Sequence, residues 1–161
     1  MLDKGGNPLD GIGIAASTFA PAGNRLAPSA AGRTTIAAMS EVLDRLRAIC
    51  AALPEVTERP SHGAPTWFVR DKKSFATAWL DGHHDMQFAH LWCAAPPGAQ
   101  EALVAAEPDT FFRPPYVGHR GWLGVRLDRE IDWAELAELL TDAYRTIAPK
   151  TLIAEMDKLD R

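Results

Sequence analysis

The residues best suited to chemistry in this sequence are its histidines, and all five lie between His62 and His119. An imidazole can bind zinc or exchange a proton near neutral pH. The spacing, however, matches none of the HExxH, HxH or Cys–His patterns that build zinc sites. His83 and His84 are neighbours, so in an extended segment they point in opposite directions and would chelate one ion poorly. We therefore predict no metal site and no cofactor.

Nucleophilic catalysis has one candidate pair, the adjacent Ser61 and His62. The spacing of these residues alone does not exclude a Ser/His/Asp or Cys/His catalytic set, but no GxSxG elbow surrounds this serine. The sequence also lacks a phosphate loop, and its GxG at Gly11 lies in a segment without a flanking strand pattern. We predict no catalytic residues and favour a binding module over an enzyme.

Basic and aromatic residues form two local groups. Arginine side chains interleaved with aromatic rings on an open sheet face can hold phosphates and stack bases. The candidate nucleic-acid contacts are Arg70, Lys72 and Lys73 around one turn, and Arg113, His119, Arg120, Trp122 and Arg126 around a second segment. The opposing interpretation buries Trp122 and pairs the arginines with acids, and burial is the usual state of a tryptophan.

Overall charge argues against generic DNA or membrane-surface binding. The chain has 17 Lys and Arg against 21 Asp and Glu, with a net charge of −4. Cys50 and Cys93 are too few for a disulfide scaffold, so we expect two buried thiols and a reducing cytoplasm. No window holds the 18 or so apolar residues that a spanning helix needs.

Hydrophobic periodicity predicts one α+β domain over residues 39–161. A helix capped by Ser40 precedes Pro54, and Asp132 caps a second long helix. Between these two helices, apolar residues recur at every second position. This pattern predicts an antiparallel sheet of five to six strands with helices packed on one face. The predicted strands are Val56–His62, Thr66–Arg70, Lys73–Leu80, Met86–Cys93 and Trp122–Leu127, with a short helix over Gln100–Ala106 and a loop over Phe111–Gly121. Strict alternation places Phe75, Thr77 and Trp79 on one face, and Trp122, Gly124 and Arg126 on another.

The first 38 residues are rich in Gly, Ala, Pro, Ser and Thr without a sustained period. We predict that residues 1–38 are a disordered, dispensable extension, with Met39 as a candidate natural start.

Several segments, in order, resemble the MmcQ/YjbR family. They are His62–Arg70, Lys73 with Phe75, Leu91–Cys93, Pro115–Trp122, Asp132-Trp133 and Ala143-Tyr144. The GHRGW element is similar to the actinobacterial type, and the resemblance extends from Ser40 to Leu152. It implies an α+β fold similar to frataxin-like and secretion-chaperone-like domains. It also implies the family's description as DNA-binding proteins with a double-wing motif, and it supplies no catalytic residues.

Two functions therefore stay open at this stage. One is a DNA-binding or regulatory module. The other is a small-molecule- or protein-binding domain, including an uncharacterised enzyme, with a pocket of Trp67, Tyr116, His119 and Trp122. A contiguous positive face would favour the first, and a concave pocket the second. We expect a cytoplasmic monomer or weak dimer.

Overall fold

The first helix is longer than the sequence pattern predicts. The structure, a computed structural model, describes residues 28–161, and α1 spans Pro28–Ala51. Ser40 lies inside α1, so the prediction that it caps the helix was wrong. Four alanines between Pro28 and Met39 favour helix, and proline is well suited to the first turn. Residues 28–38 of the proposed extension are thus helical, while its residues 1–27 lie outside the described part and their disorder stays a prediction.

The chain divides after Val42, inside α1, and the unit Leu43–Arg161 contains the sheet and the other helices. Its six strands are β1 (Val56–Ser61), β2 (Ala64–Val69), β3 (Lys73–Trp79), β4 (His90–Cys93), β5 (Phe111–Phe112) and β6 (Leu123–Arg126). They lie in the order β1-β2-β3-β4-β6-β5, and every neighbouring pair is antiparallel. The predicted α+β fold with an antiparallel sheet is confirmed.

Short turns join β1 to β2 and β2 to β3, as the sequence predicts. His62 and Gly63 connect β1 to β2 with φ values of 54° and 81°, which is the type I′ geometry that matches strand twist. Two segments differ from prediction. β4 begins at His90, because Met86 pairs only with His83 in an isolated bridge. The two-residue strand β5 lies within the segment predicted to be a loop.

Helices cover one face of the sheet. They are α2 (Ala99–Ala106), α3 (Trp133–Ile147) and α4 (Lys150–Leu159). Asp132 caps α3 as predicted, since its Oδ1 accepts a hydrogen bond of 3.1 Å from the Glu135 N–H. Across the core, Tyr144 of α3 packs edge-on against Phe75 of β3, with ring centroids 5.8 Å apart. Among the described helices, none combines the length and the apolar character needed to cross a bilayer.

A β-bulge in β3 overturns one detail of the predicted faces. Thr66 pairs with Thr77 and Trp67 with Ala76, but Phe68 then pairs with Ser74. Phe75 is the extra residue, and in such a bulge two consecutive residues oppose one partner. Phe75 therefore faces α3, whereas Thr77 and Trp79 lie on the opposite face. The predicted alternation in β6 holds, because it contains no bulge.

Candidate binding cavity

The sheet face opposite the helices holds a concave cavity of about 640 Å³. β2, β3 and β4 form its floor. Its sides come from the β1–β2 turn, the hairpin between β3 and β4, and the segment before β6. The lining residues are Ser61, His62, Thr66, Ser74, Thr77, Trp79, His83, His84, Trp92, Tyr116, Val117, Arg120 and Trp122. A volume of this size is typical of sites for small molecules.

A continuous series of rings forms one side of the cavity. The His83 imidazole stacks on Trp79, with centroids 3.6 Å apart and planes 15° apart. Trp92 meets the same imidazole edge-on at 5.4 Å. His84 contacts His83 at 3.9 Å and reaches Tyr116 at 5.2 Å. The last contact joins the β3–β4 hairpin to the segment before β6 across the mouth of the cavity.

Two of these rings carry hydrogen-bond donors without acceptors. The Nε1 atoms of Trp79 and Trp92 are buried and have no hydrogen-bond partner among the described residues. The two side chains are only 8% and 6% exposed. An indole N–H can only donate, and a buried donor that lacks an acceptor is costly. Both side chains line the cavity with their rings, while the two Nε1 atoms themselves are closed to solvent.

A buried glutamine fixes the segment that closes the cavity. Gln100 of α2 is 3% exposed. Its Nε2 donates to the Gly118 carbonyl at 2.9 Å and also to the Trp122 carbonyl. Its Oε1 accepts a long hydrogen bond of 3.4 Å from Arg113. One side chain therefore holds both ends of the short 3₁₀ helix Gly118–Arg120.

Tyr116 combines an exposed ring with an unfavourable backbone. Its φ is 67°, in the left-handed region, and 67% of its surface is exposed. A residue with a Cβ pays about 1–2 kcal/mol for this conformation, and little burial offsets that cost here. Backbone strain of this kind often accompanies function. Tyr116 is therefore an exposed ring on a strained backbone at the mouth of the cavity.

Arg120 is the permanently charged group of the cavity. Its guanidinium lies 5.4 Å from the centre of the Trp122 ring, within the range of a cation–π contact. Among the described lining residues none carries a carboxylate. Burial lowers the pKa of His83, and the nearby His84, His90 and His62 add to this effect. His83 is therefore neutral at pH 7 and stacks on Trp79 without a charge.

The Ser61–His62 pair lacks the partners of a nucleophilic site. Ser61 Oγ lies 3.3 Å from His62 Nδ1, and no described carboxylate of the cavity orients the imidazole. A serine nucleophile needs a base that a third group holds in place. The two thiols offer no alternative, because burial raises the pKa of Cys93 to about 12 and raises that of Cys50 further.

A buried histidine lies beside the cavity but does not line it. His90 of β4 is fully buried, and its Nδ1 lies 2.8 Å from the Phe88 carbonyl. Since a carbonyl can only accept, Nδ1 donates and Nε2 is the unprotonated nitrogen. That Nε2 has no partner among the described residues. Burial lowers the pKa of His90, so the ring is neutral at pH 7.

The structure distributes the candidate nucleic-acid contacts over separate places. Arg70, Lys72 and Lys73 line a different depression of about 290 Å³ beside Ile147 and Pro149. Arg120 and Trp122 line the large cavity, with Trp122 only 6% exposed. Arg126 of β6 pairs with His90 of β4, which in turn pairs with Trp79 of β3. Arg126 is therefore near the Trp79 end of β3, whereas Lys73 is at the other end of that strand. Arg113 contacts Gln100, and His119 is exposed on the 3₁₀ helix.

Two of these cations already pair with carboxylates. Arg70 pairs with Glu55 at 3.1 Å, and Arg126 with Asp128 at 2.6 Å. Hydrogen bonds from Arg126 lower the pKa of Asp128, so this pair stays charged. Each such pair removes a cation that phosphate binding would require.

The predicted pocket is brought together only in part. Tyr116 and Trp122 line the cavity, whereas Trp67 and His119 do not. Trp67 pairs with Ala76 and is buried on the helix side of the sheet. Sequence reasoning missed Trp79 and Trp92, and it considered His83 and His84 only as metal ligands. The available signal was the presence of two histidines in a short hairpin directly after a strand tryptophan.

No group of three metal-binding side chains occurs within the described residues. The absence of a bound metal and of a cofactor stays a prediction.

Comparisons with known proteins place the fold. The YjbR family model matches residues 51–146, more than half of the chain. The crystal structure of Deinococcus radiodurans protein DR2400, with its DUF419 domain, superposes with a TM-score of 0.56 at 22% identity. The alignment covers 68% of this chain and 80% of that protein, and at this identity it supports the fold alone. A search of curated proteins found no match.

Proposed function

We propose that this chain, which belongs to the YjbR family, is a non-catalytic binding domain that holds a small aromatic molecule in the cavity of its open sheet face. The observation that carries the proposal is the series of rings from Trp92 to Tyr116 around a space of about 640 Å³. Aromatic walls favour a planar ligand, because offset stacking and edge contacts add to the burial of apolar surface. The Arg120 guanidinium, which lies over the Trp122 ring, supplies a polar contact.

DNA binding, the other function that the sequence suggests, is the second candidate. It is supported by Lys72, Lys73 and Arg120, which form no salt bridge among the described residues. These cations are divided between two depressions, and the chain is acidic overall. Phosphate neutralisation dominates the affinity of proteins for DNA. The charge distribution therefore favours the cavity as the binding site.

A cytoplasmic location belongs to this proposal, since Cys50 and Cys93 are free, buried thiols. The predicted monomer or weak dimer stays a prediction.

The test fills the cavity from its floor. Thr77→Phe places a ring in the space without altering the walls, and phenylalanine is favourable in a strand. Thr57→Phe, on the exposed edge strand β1, is the matched control. Binding of 2-naphthamide is followed through the indole N–H resonances of the five tryptophans. The proposal expects shifts in the wild type and in Thr57→Phe, and none in Thr77→Phe.

The same samples are titrated with duplex and single-stranded oligonucleotides at low and moderate salt. Oligonucleotide binding by both phenylalanine variants, together with no response to any aromatic probe, would replace the cavity function with the DNA function. In that case the affinity should fall steeply with salt.

A further inference from the structure

We infer that the ligand of this cavity is an aromatic anion whose charged group lies at Arg120; this inference rests on the proposed binding function. The first reason is the sign of the charge. The chain has an excess of acids, yet none of the described lining residues is acidic, and the fixed charge of the lining is one guanidinium. A cationic ligand would meet Arg120 without a compensating carboxylate. An anion would receive charge-assisted hydrogen bonds.

The second reason is that Arg120 differs from six of the ten arginines between Leu43 and Arg161. Those six have a carboxylate within 3.8 Å, namely Arg47, Arg59, Arg70, Arg126, Arg129 and Arg145. Arg120 has none among the described residues, and it lies over Trp122 at the cavity wall. A planar guanidinium held there can present two parallel N–H donors to a carboxylate or phosphate.

The third reason is the chemistry of the remaining lining. The walls are aromatic rings, and the Nε1 atoms of Trp79 and Trp92 are closed to solvent. The strongest donor that the cavity offers is therefore the Arg120 guanidinium, which cannot act as an acceptor. The complementary molecule has a planar apolar body and acceptor oxygens at one end. Aromatic carboxylates and nucleoside monophosphates share this chemistry.

The experiment compares probes that differ in charge and hardly in shape. The probes are 2-naphthoate, neutral 2-naphthamide and cationic 2-naphthylmethylamine. Charged hydrogen bonds contribute about 1 kcal/mol more than neutral ones, which corresponds to roughly five- to tenfold tighter binding of the anion. We expect that preference in the wild type, its loss in Arg120→Gln, and its retention in Arg129→Gln. Arg129 is a matched control because it lies outside the cavity, 3.8 Å from Asp128.

A comparison of two probe pairs distinguishes the two possible classes of anion, nucleotide and aromatic carboxylate. Adenosine monophosphate is compared with adenosine, and naphthoate with naphthamide. A larger charge preference in the first pair identifies a nucleotide, and a larger one in the second identifies an aromatic carboxylate.

The possible results distinguish a failure of the anion inference from a failure of the proposed aromatic-binding function. Equal binding of the three naphthyl probes, or tighter binding of the amine, would overturn the anion while leaving an aromatic-binding cavity. A preference unchanged in Arg120→Gln would also overturn it. No binding of any probe would remove the proposed function itself.

Discussion

Gln100 offers the sharpest test of how the cavity is built. Gln100→Leu keeps the approximate size of the side chain and removes every hydrogen bond it makes. The Trp122 carbonyl would then be left buried without its donor, at a cost of about 1–3 kcal/mol. The Gly118 carbonyl keeps a bond of 3.0 Å from the Gly121 N–H, so its loss is nearer to an ordinary net hydrogen bond, about 1 kcal/mol. The apolar leucine offsets about 1 kcal/mol by its burial.

The net destabilisation is about 2 kcal/mol, the difference between these opposing contributions. For a domain of this size it lowers the midpoint of thermal unfolding by roughly 6–10 °C. The assay is thermal unfolding followed by circular dichroism. Glu101→Leu is the matched control, because Glu101 is exposed on the same helix and surface changes usually stay within about 0.5 kcal/mol.

The same variant should weaken binding of 2-naphthamide, since the segment that carries Tyr116 and Arg120 loses its attachment to α2. Equal midpoints for Gln100→Leu and Glu101→Leu would refute the reasoning. They would mean that the two carbonyls are satisfied without the glutamine amide, and that α2 does not hold the cavity closed.

Three further predictions concern single positions. Tyr116→Asn should unfold at the wild-type temperature or slightly above it, because asparagine tolerates positive φ better than tyrosine, while calorimetric titration shows weaker binding of naphthamide. Gly82→Ala should lower the unfolding midpoint more than Gly63→Ala: both glycines have φ above 80°, but only at Gly82 would the new Cβ overlap the Met86 carbonyl. The free energy of unfolding should fall as pH drops below the ordinary histidine pKa of about 6.5, because unfolded His90 takes up a proton that its lowered pKa in the folded state resists. His90 contributes at most about 1.4 kcal/mol per pH unit to this dependence of the free energy of unfolding on pH. The variant His90→Asn keeps a donor for the Phe88 carbonyl but does not titrate. The difference in free energy of unfolding between pH 5.5 and 7.5, measured by urea titration, should therefore be smaller in this variant.

The features predicted correctly from the sequence are those with local causes. Asp132 caps α3 because a carboxylate can reach the third N–H of its own helix. The sequence also predicts a short connection between the first two strands, and the structure narrows it to His62-Gly63, whose two residues adopt the left-handed conformations that a two-residue turn requires. Such local signals fix the order of elements, and the order is enough for the α+β fold.

The cavity could be predicted only in part because its residues meet through tertiary register. Trp92 lies beside Thr77, and Trp79 beside His90, but period-two patterning does not specify which residues of neighbouring strands are partners. Gln100 lies in an alanine-rich helix, where nothing local distinguishes a buried amide from a solvated one. The start of α1 was misplaced because Ser40 is a good capping residue in isolation, whereas the preceding alanines continue the helix.

The bulge in β3 links the core to the cavity. Under unbroken alternation, Phe75 could pack against Tyr144 only if Thr77 and Trp79 also faced α3, because a shift of one residue exchanges the two faces of a strand. The cavity would then lose part of its floor and the ring on which His83 stacks. Phe75 and Ala76 together oppose Trp67, so the alternation of side chains between the two faces of the sheet shifts by one residue within β3. Its first half supplies an aromatic ring to the core, and its second half supplies one to the open face. A single irregularity of the ladder therefore makes both the packing of α3 and the binding cavity possible in the same short strand.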